Sequence, residues 1–243
     1  MAKKTLSIVA VVINNLEVNK RFVSSVRQYT TGDYELILID NGSTDKKSVG
    51  FFKQNADKYF RFDNIVTLSS AWNKGIEISE GKYVAVVNND VVVPPDWFKP
   101  LKQTLDKDKK AGMVTPLTLW LLVGLYGNKL TKKMDQSFGK PYKLQKFKDV
   151  VWGEFMLFTR KALEAVGGFN PIYERAGSED LEMLFQLYDK GFNVYADPRV
   201  FVYHEGSRSQ TPDIISKKDR NKYWGKNWKL FLSRWPKHTK GWK

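Results

Sequence analysis

Four places in this 243-residue chain set chemistry-bearing side chains where a substrate can reach them. Asp40 ends the apolar run Leu36-Ile37-Leu38-Ile39 and opens the polar stretch Asn41-Gly42-Ser43-Thr44-Asp45. A carboxylate there can accept a hydrogen bond from a planar donor edge, such as the imide N–H of uracil, or serve only its own backbone in an Asx-type turn. Asn88-Asn89-Asp90 follow the apolar stretch Tyr83–Val87. A hard divalent cation on a diphosphate needs few protein ligands, because phosphates and waters complete its shell, and one carboxylate at a strand end meets that need. Turn formation before Val91 and Pro94 uses the same residues. Glu179, Asp180 and Glu182 place three acids in one helical turn after Ser178. The helix dipole favours carboxylates there, and a projecting one can also act as a general base. His204, one of two histidines, follows the apolar stretch Val200–Tyr203. An imidazole suits a divalent ion of the manganese type, and equally a structural position in the fold.

The absences narrow the field. There is no cysteine, which removes disulfides, thiolate metal sites and a cysteine nucleophile. There is no Walker A sequence, G-x-G-x-x-G, H-E-x-x-H or G-x-S-x-G, which argues against NTPase, dehydrogenase, metalloprotease and α/β-hydrolase chemistry.

The elements that must position these residues alternate. Ser7–Ile13, Glu35–Ile39 and Tyr83–Val87 are continuous apolar runs rich in β-branched residues, expected of strands buried on both faces of a parallel sheet. Val18–Tyr29 has helical spacing with Phe22, Val23 and Val26 on one face. A helix is expected from the 40–45 turn to about Asn55, and another over Ala71–Ser79. Ile65–Ser69 reads as a short strand, Pro94-Pro95-Asp96 as the opening of a helix, and 117–148 as a loop or flap. Val150–Phe158 reads as a strand, and Thr159 as the cap of a short helix ending at Gly167-Gly168. Ser178 reads as the N-cap of a helix with Leu181, Leu184, Phe185 and Tyr188 inside; Phe192–Tyr195 and Val200–Tyr203 read as two short strands. Strand–helix alternation predicts a doubly wound α/β sheet, in which ligands bind beyond the carboxyl ends of the strands.

The net charge of +14 is unevenly distributed. Residues 99–148 carry +9 and residues 217–243 another +9, leaving 18 basic and 22 acidic residues, −4, for the rest. Two basic segments on a mildly acidic body suit an anionic partner as well as solubility. Met1-Ala2-Lys3-Lys4 before an apolar stretch imitates a signal peptide, but no small-residue cleavage site follows. The apolar run Leu117–Tyr126 is about half the length of a membrane span. A cytoplasmic protein without a transmembrane segment is expected, peripheral at a membrane if its basic segments meet one.

In order along the chain, these pieces resemble family-2 glycosyltransferases of the GT-A fold. The resemblance spans roughly 5–205. It rests on Ile8–Val12 and Leu36–Asp45; on Asn73-Lys74-Gly75-Ile76, Gly81-Lys82-Tyr83 and Asn88-Asn89-Asp90, the last a DxD-type metal motif; and on Trp152–Phe158, Gly167-Gly168-Phe169-Asn170, Ser178-Glu179-Asp180-Leu181 and Tyr203-His204. It implies a GT-A type, Rossmann-like, mostly parallel sheet flanked by helices. A catalytic domain over 1–210 would comprise a nucleotide-binding half 1–98, a basic variable segment 99–148 and an acceptor half 149–210, with a basic helical extension over 211–243. It further implies that Asp40 binds the base, flanked by Asn14 and Glu17, with Asn41, Asn73, Asn88 and Asn89 on the donor side. Trp152 and Gly153 would border the donor sugar. Asp90 and His204 would hold Mn²⁺ or Mg²⁺ on the diphosphate, Asp180 would be the catalytic base and Glu179 its neighbour. Two positions differ from the family pattern: Ile13-Asn14-Asn15 replaces threonine-tyrosine-asparagine, and only the last aspartate of the metal motif is present.

The expected activity is inverting transfer of a hexosyl-type sugar from a nucleotide-diphosphate sugar, UDP favoured, to a hydroxyl of a glycan, lipid-linked or other anionic acceptor. Trp224, Trp228, Phe231 and Trp235 follow helical spacing among Lys222, Lys226, Lys229 and Arg234. That stripe can lie on an anionic membrane, accompany lysines onto nucleic acid (with a DNA base as acceptor), or pack on the protein's own body. The rival readings are a non-catalytic nucleotide-sugar or nucleic-acid binding module and a nucleotidyltransferase. The latter's glycine-rich basic loop after the first strand is missing.

Overall fold

The computed structural model describes residues 4–118, 140–149, 152–206 and 217–242. Most of the expected 117–148 loop, the run beyond Thr118, Val150 and residues 211–216 lie outside them.

Among the described residues nine strands form one sheet: β1 Leu6–Val12, β2 Tyr34–Asn41, β3 Lys58–Phe62, β4 Tyr83–Val87, β5 Val91–Val92, β6 Ala111–Thr118, β7 Tyr142–Lys143, β8 Phe155–Thr159 and β9 Asn193–His204. The order is β3-β2-β1-β4-β8-β6-β9-β5, with β7 beside β9. The half built from β1 to β4 is parallel; β8 enters antiparallel between β4 and β6, and β6 runs parallel to β9.

Period-2 alternation in β1 explains the layering. Leu6, Ile8, Ala10 and Val12 face helices α1 (Leu16–Tyr29), α2 (Lys46–Asn55) and α4 (Phe98–Lys107), through Phe22, Phe52 and Leu101. Val9, with Ile37 and Ile39 of β2, faces α3 (Leu68–Ile78), α5 (Arg160–Val166) and α6 (Glu179–Asp189). The last helix, α7 (Lys217–Arg234), joins this second layer: Phe231 is fully buried against Phe185 of α6, and Trp228 and Trp235 are partly buried beside it. The aromatic stripe therefore packs on the body, and Trp224 at its start stays exposed. Among the described residues no helix is long and apolar enough to cross a membrane.

Three local expectations are corrected. Ile65–Ser69 is not a strand: Thr67 Oγ1 accepts the Ser70 N–H and caps α3, which begins at Leu68. The strand lies earlier, as β3, a sheet-edge segment in which Lys58 and Arg61 interrupt the apolar residues and hid it from an apolar-run criterion. Phe192–Tyr195 and Val200–Tyr203 belong to the single strand β9, irregular where Pro116 and Leu117 shift register against it. Ser178 precedes α6 in a left-handed conformation, φ 75°, and its side chain caps nothing.

Candidate active site

The parallel register aligns the carboxyl ends of β1, β2 and β4, with Val12 beside Asp40 and Val9 beside Val86, so three polar loops emerge along one sheet edge. The first contains Asn14 and Asn15, both left-handed at φ 41° and 46°, a conformation asparagine tolerates better than most residues. Asn14 Oδ1 accepts the Thr44 and Asp45 N–H groups at 2.8 and 3.0 Å, and its own N–H donates to Ser43 Oγ, clamping the second loop to the first. Glu17 points to solvent and pairs with Lys20.

Asp40 is fully buried at the end of β2. Its Oδ1 accepts the Ser43 N–H at 2.9 Å, which is the Asx-type turn bond, and its Oδ2 accepts the Tyr59 hydroxyl at 2.9 Å, with Arg61 Nε at 3.3 Å. Burial and then the Asp40 carboxylate push the Tyr59 hydroxyl well above its ordinary pKa, so it remains a donor. Asn41 exchanges both amide groups with the Val66 backbone, and Asn73 does the same with Phe169. Both side chains thus hold loops in place.

The third loop is tied to the first by a residue that sequence reasoning missed. Asn19 of α1 is fully buried; its Oδ1 accepts from Asn89 Nδ2 at 2.9 Å, and its Nδ2 donates to the Asn14 and Asn15 carbonyls at 2.8 and 3.0 Å. A polar residue on the inner face of an amphipathic helix was the signal available.

Asp90 and His204 lie 114 positions apart and meet because β5 pairs antiparallel with β9, Val91 opposite His204. His204 Nε2 is 3.0 Å from Asp90 Oδ1, and the Glu205 N–H donates to the Asp90 carbonyl at 3.0 Å. Burial opposes a charged imidazole, but the Asp90 contact and the nearby Glu154 and Glu205 carboxylates outweigh it, and the His204 pKa rises above its ordinary value. His204 Nδ1 is buried with no hydrogen-bond partner among the described residues.

Glu154 acts electrostatically on both this pair and Asp180. It is buried, accepts the Thr118 hydroxyl at 2.6 Å, and its carbonyl receives the Asn88 N–H at 2.9 Å. Its charge raises the pKa of both His204 and Asp180. It stands inside the 152–158 motif, yet no role was read for it.

Asp180 is held by two backbone donors at 2.9 Å: Gly153 N–H to Oδ2 and Leu181 N–H to Oδ1. Gly153 must be glycine for this approach, since a Cβ would stand 2.7 Å from Asp180 Cβ. Burial raises the Asp180 pKa against those two hydrogen bonds, and Glu154 adds to the rise. Glu179, buried beside it, is raised by burial and then by Asp180, although the Gly177 N–H donates to its Oε2. Trp152 is 37% exposed next to Gly153. The third acid of the turn differs: Glu182 is fully buried and accepts from Arg234, Trp235 and Tyr173.

These residues form one network: Asp40, Asn14 and Asn89 are joined through Ser43 and Asn19, and residues 153–154 hold both Asp180 and the loop that brings Asp90 to His204. Its acid pair is oriented by backbone N–H groups and shifted toward the protonated state. Such a carboxylate can accept a proton from a bound hydroxyl.

Comparison with known proteins accords with this arrangement. The E. coli chondroitin synthase is 23% identical over 228 residues, covering 78% of this chain and 33% of that protein. The putative glycosyltransferase EpsH of Bacillus subtilis (strain 168) is 25% identical over 197 residues, covering 77% of this chain and 52% of its own length. The chain thus spans a third to about half of these relatives. Two solved structures share the fold over 84% of the chain. They are GalNAc-T7 with UDP, GalNAc and Mn²⁺ (TM-score 0.68, 20% identity, 44% of that chain) and the mannosyltransferase PcManGT from Pyrobaculum calidifontis with GDP-Man and Mn²⁺ (TM-score 0.67, 16% identity, 57% of that chain). The fold is therefore the GT-A type, and the family model described as "Glycosyl transferase family 2" matches residues 7–167, from β1 through α5. With that match across most of its length, the chain belongs to glycosyl transferase family 2.

Proposed function

We propose that this chain is an inverting, metal-dependent glycosyltransferase that moves a sugar from a nucleotide-diphosphate sugar, UDP favoured, to an acceptor hydroxyl on a glycan or other anionic acceptor. The observation that carries the reading is that adjacent residues tie the two acid groups together: the Glu154 carbonyl accepts the Asn88 N–H at the start of the loop bearing Asp90, which meets His204, and the Gly153 N–H donates to Asp180. Both structural neighbours were solved with Mn²⁺ and a nucleotide or nucleotide sugar, which supports the same donor class here.

The residues present fit a divalent ion. One carboxylate and one imidazole, whose Nε2 faces Asp90 Oδ1 at 3.0 Å, form a mixed oxygen–nitrogen donor set of the manganese type. Among the described residues no group of three or more His, Asp or Glu side chains forms a complete cage, so the diphosphate would supply the remaining ligands. Asp90 and His204 would hold the ion, which when bound neutralises charge on the leaving diphosphate.

The remaining chemistry falls to the chain's own groups. Asp180 accepts the proton of the acceptor hydroxyl as its oxygen attacks the anomeric carbon; the bond from that carbon to the diphosphate breaks, and the configuration inverts. The Gly153 and Leu181 N–H groups keep the carboxylate aimed during the step. Its raised pKa brings it nearer to neutrality, where a general base is most effective. Asn14, Asp40 and Arg61 shape the base end of the site, and Trp152 borders the sugar.

A thermal-shift panel of UDP-, GDP- and dTDP-sugars with and without Mn²⁺ tests this reading. A ligand at 100 times its Kd adds about 2.7 kcal/mol, which for a chain of this size is roughly 5–11 °C. No shift with any donor, with or without the ion, refutes it.

A further inference from the structure

The segment feeding the acid pair has an unusual backbone. Of the four residues before α6, three have positive φ: Arg175 at 58°, Gly177 at 114° and Ser178 at 75°. Residues 171–178 form turns and bends without helix or sheet bonds, so no regular element supports them. A non-glycine residue in this region persists only where its surroundings over-determine it.

Those surroundings are supplied by α7, mostly through one side chain. Asn227 is 1% exposed, and its amide is wholly engaged with the loop backbone: Oδ1 accepts the Glu174 N–H at 3.1 Å, and Nδ2 donates to the Glu174 and Ala176 carbonyls at 2.8 and 3.2 Å. One turn earlier, the Trp224 indole lies over Gly177, where an added Cβ would come within 2.7 Å of Cδ1. Gly177 in turn donates its N–H to Glu179 Oε2. Two turns later, Arg234 and Trp235 bind Glu182, so α7 is fixed to α6 on the far side of the acid pair as well. Another backbone tie of the loop is Leu68 N–H to the Arg175 carbonyl at 2.8 Å.

We propose that Asn227 is a positioning residue for the Glu179–Asp180 pair: it sets the backbone of 174–176, and with it the start of α6 and the direction in which Asp180 faces its substrate. Helix α7 is in this way a working part of the active site, although it lies beyond residues 7–167 matched by the family model. The inference rests on Asp180 being the base. A displacement of the reacting group by about 1 Å costs roughly 10²-fold in rate, whereas the nucleotide loops at the other end of the network do not touch Asn227.

The test uses the full chain with Asn227→Ala, with Asn227→Ser as a smaller lesion should the first variant not fold. Lys226→Ala, which removes only an exposed ion pair with Glu174, is the control. Three quantities are read: UDP affinity with Mn²⁺, kcat for hydrolysis of the sugar nucleotide by water (which needs no acceptor), and amide hydrogen exchange over 172–181. The expected result in the Asn227 variants is a roughly 10–100-fold fall in kcat, with UDP affinity unchanged and faster exchange over 172–181. Lys226→Ala matches the unmodified protein in all three. The proposal is overturned by unchanged kcat, whether or not exchange rises, because the clamp then serves only the fold. It is overturned equally by a parallel loss of UDP affinity. If the unmodified chain binds no sugar nucleotide, the transferase reading fails by itself, and unchanged exchange in the variants refutes the clamp independently.

Discussion

Replacing Asp180 by asparagine should stop transfer and at the same time make the protein more stable at neutral pH. The ionised carboxylate is destabilised in the fold by burial and by Glu154, which raises its pKa. Each pH unit of such a rise means about 1.4 kcal/mol against the charged form. Asparagine removes that charge and can still accept the Gly153 N–H through its carbonyl oxygen, but its NH₂ group then faces the Leu181 N–H. One lost hydrogen bond costs about 1 kcal/mol. Partial access to water discounts the electrostatic gain further, leaving a net stabilisation of about 1 kcal/mol, or a Tm rise of roughly 2–4 °C. The sign against pH follows from linkage. With the folded pKa above the unfolded one, the penalty in the native protein is complete above the folded value and vanishes below the ordinary aspartate range near 3.9. The Tm advantage of Asp180→Asn should therefore be largest at pH 7–8 and shrink as pH falls. Calorimetry across pH, UDP titration and a transfer assay read the three parts. A variant that melts several degrees lower at pH 7 and loses UDP binding along with transfer would show that Asp180 is a structural cap.

Three other outcomes are expected. Asn19→Ala leaves the Asn89 amide and the Asn14 and Asn15 carbonyls without their buried partner. It should cost about 1–3 kcal/mol in denaturant unfolding and weaken UDP binding; unchanged affinity would separate the network from the donor site. Gly153→Ala forces a Cβ to 2.7 Å from Asp180 Cβ. It should lower kcat by roughly 10²-fold with donor KM nearly unchanged, and a normal kcat in steady-state kinetics would refute the glycine's role. Arg234→Met leaves the fully buried Glu182 without its cation. Burial raises the Glu182 pKa, but Arg234, Trp235 and Tyr173 outweigh this and hold it below the usual glutamate range. That stability is present above pH 4–5 and lost as pH falls through the depressed value. The variant's acid-unfolding midpoint should move upward, and an unmoved midpoint refutes the pair's contribution.

Much of the fold was legible because its central strands are buried on both faces, and burial of that kind writes continuous apolar runs such as Ser7–Ile13 and Tyr83–Val87. The sheet-edge strand β3 was not, since Lys58 and Arg61 remain partly in water and the run is broken. Ser178 looked like a cap because serine before three acids is locally favourable for one. Asn227, which ties down the loop ahead of it, sits 49 positions further along the chain.

The sequence by itself determined the α/β class, the family, and the polar clusters that end its strands, because these depend on residue type and short-range spacing. Tertiary structure alone decided which clusters meet. His204 reaches Asp90 through the register of β5 on β9. Residues 153 and 154 tie the two acid groups together, the Gly153 N–H on Asp180 and the Glu154 carbonyl on the Asn88 N–H ahead of Asp90. Glu182, alike in sequence to its neighbours, is turned inward onto Arg234. The physical reason is that hydrogen bonds, desolvation and charge coupling act over a few ångströms of space, and neither register nor the packing of a distant helix is written in the local order of residues.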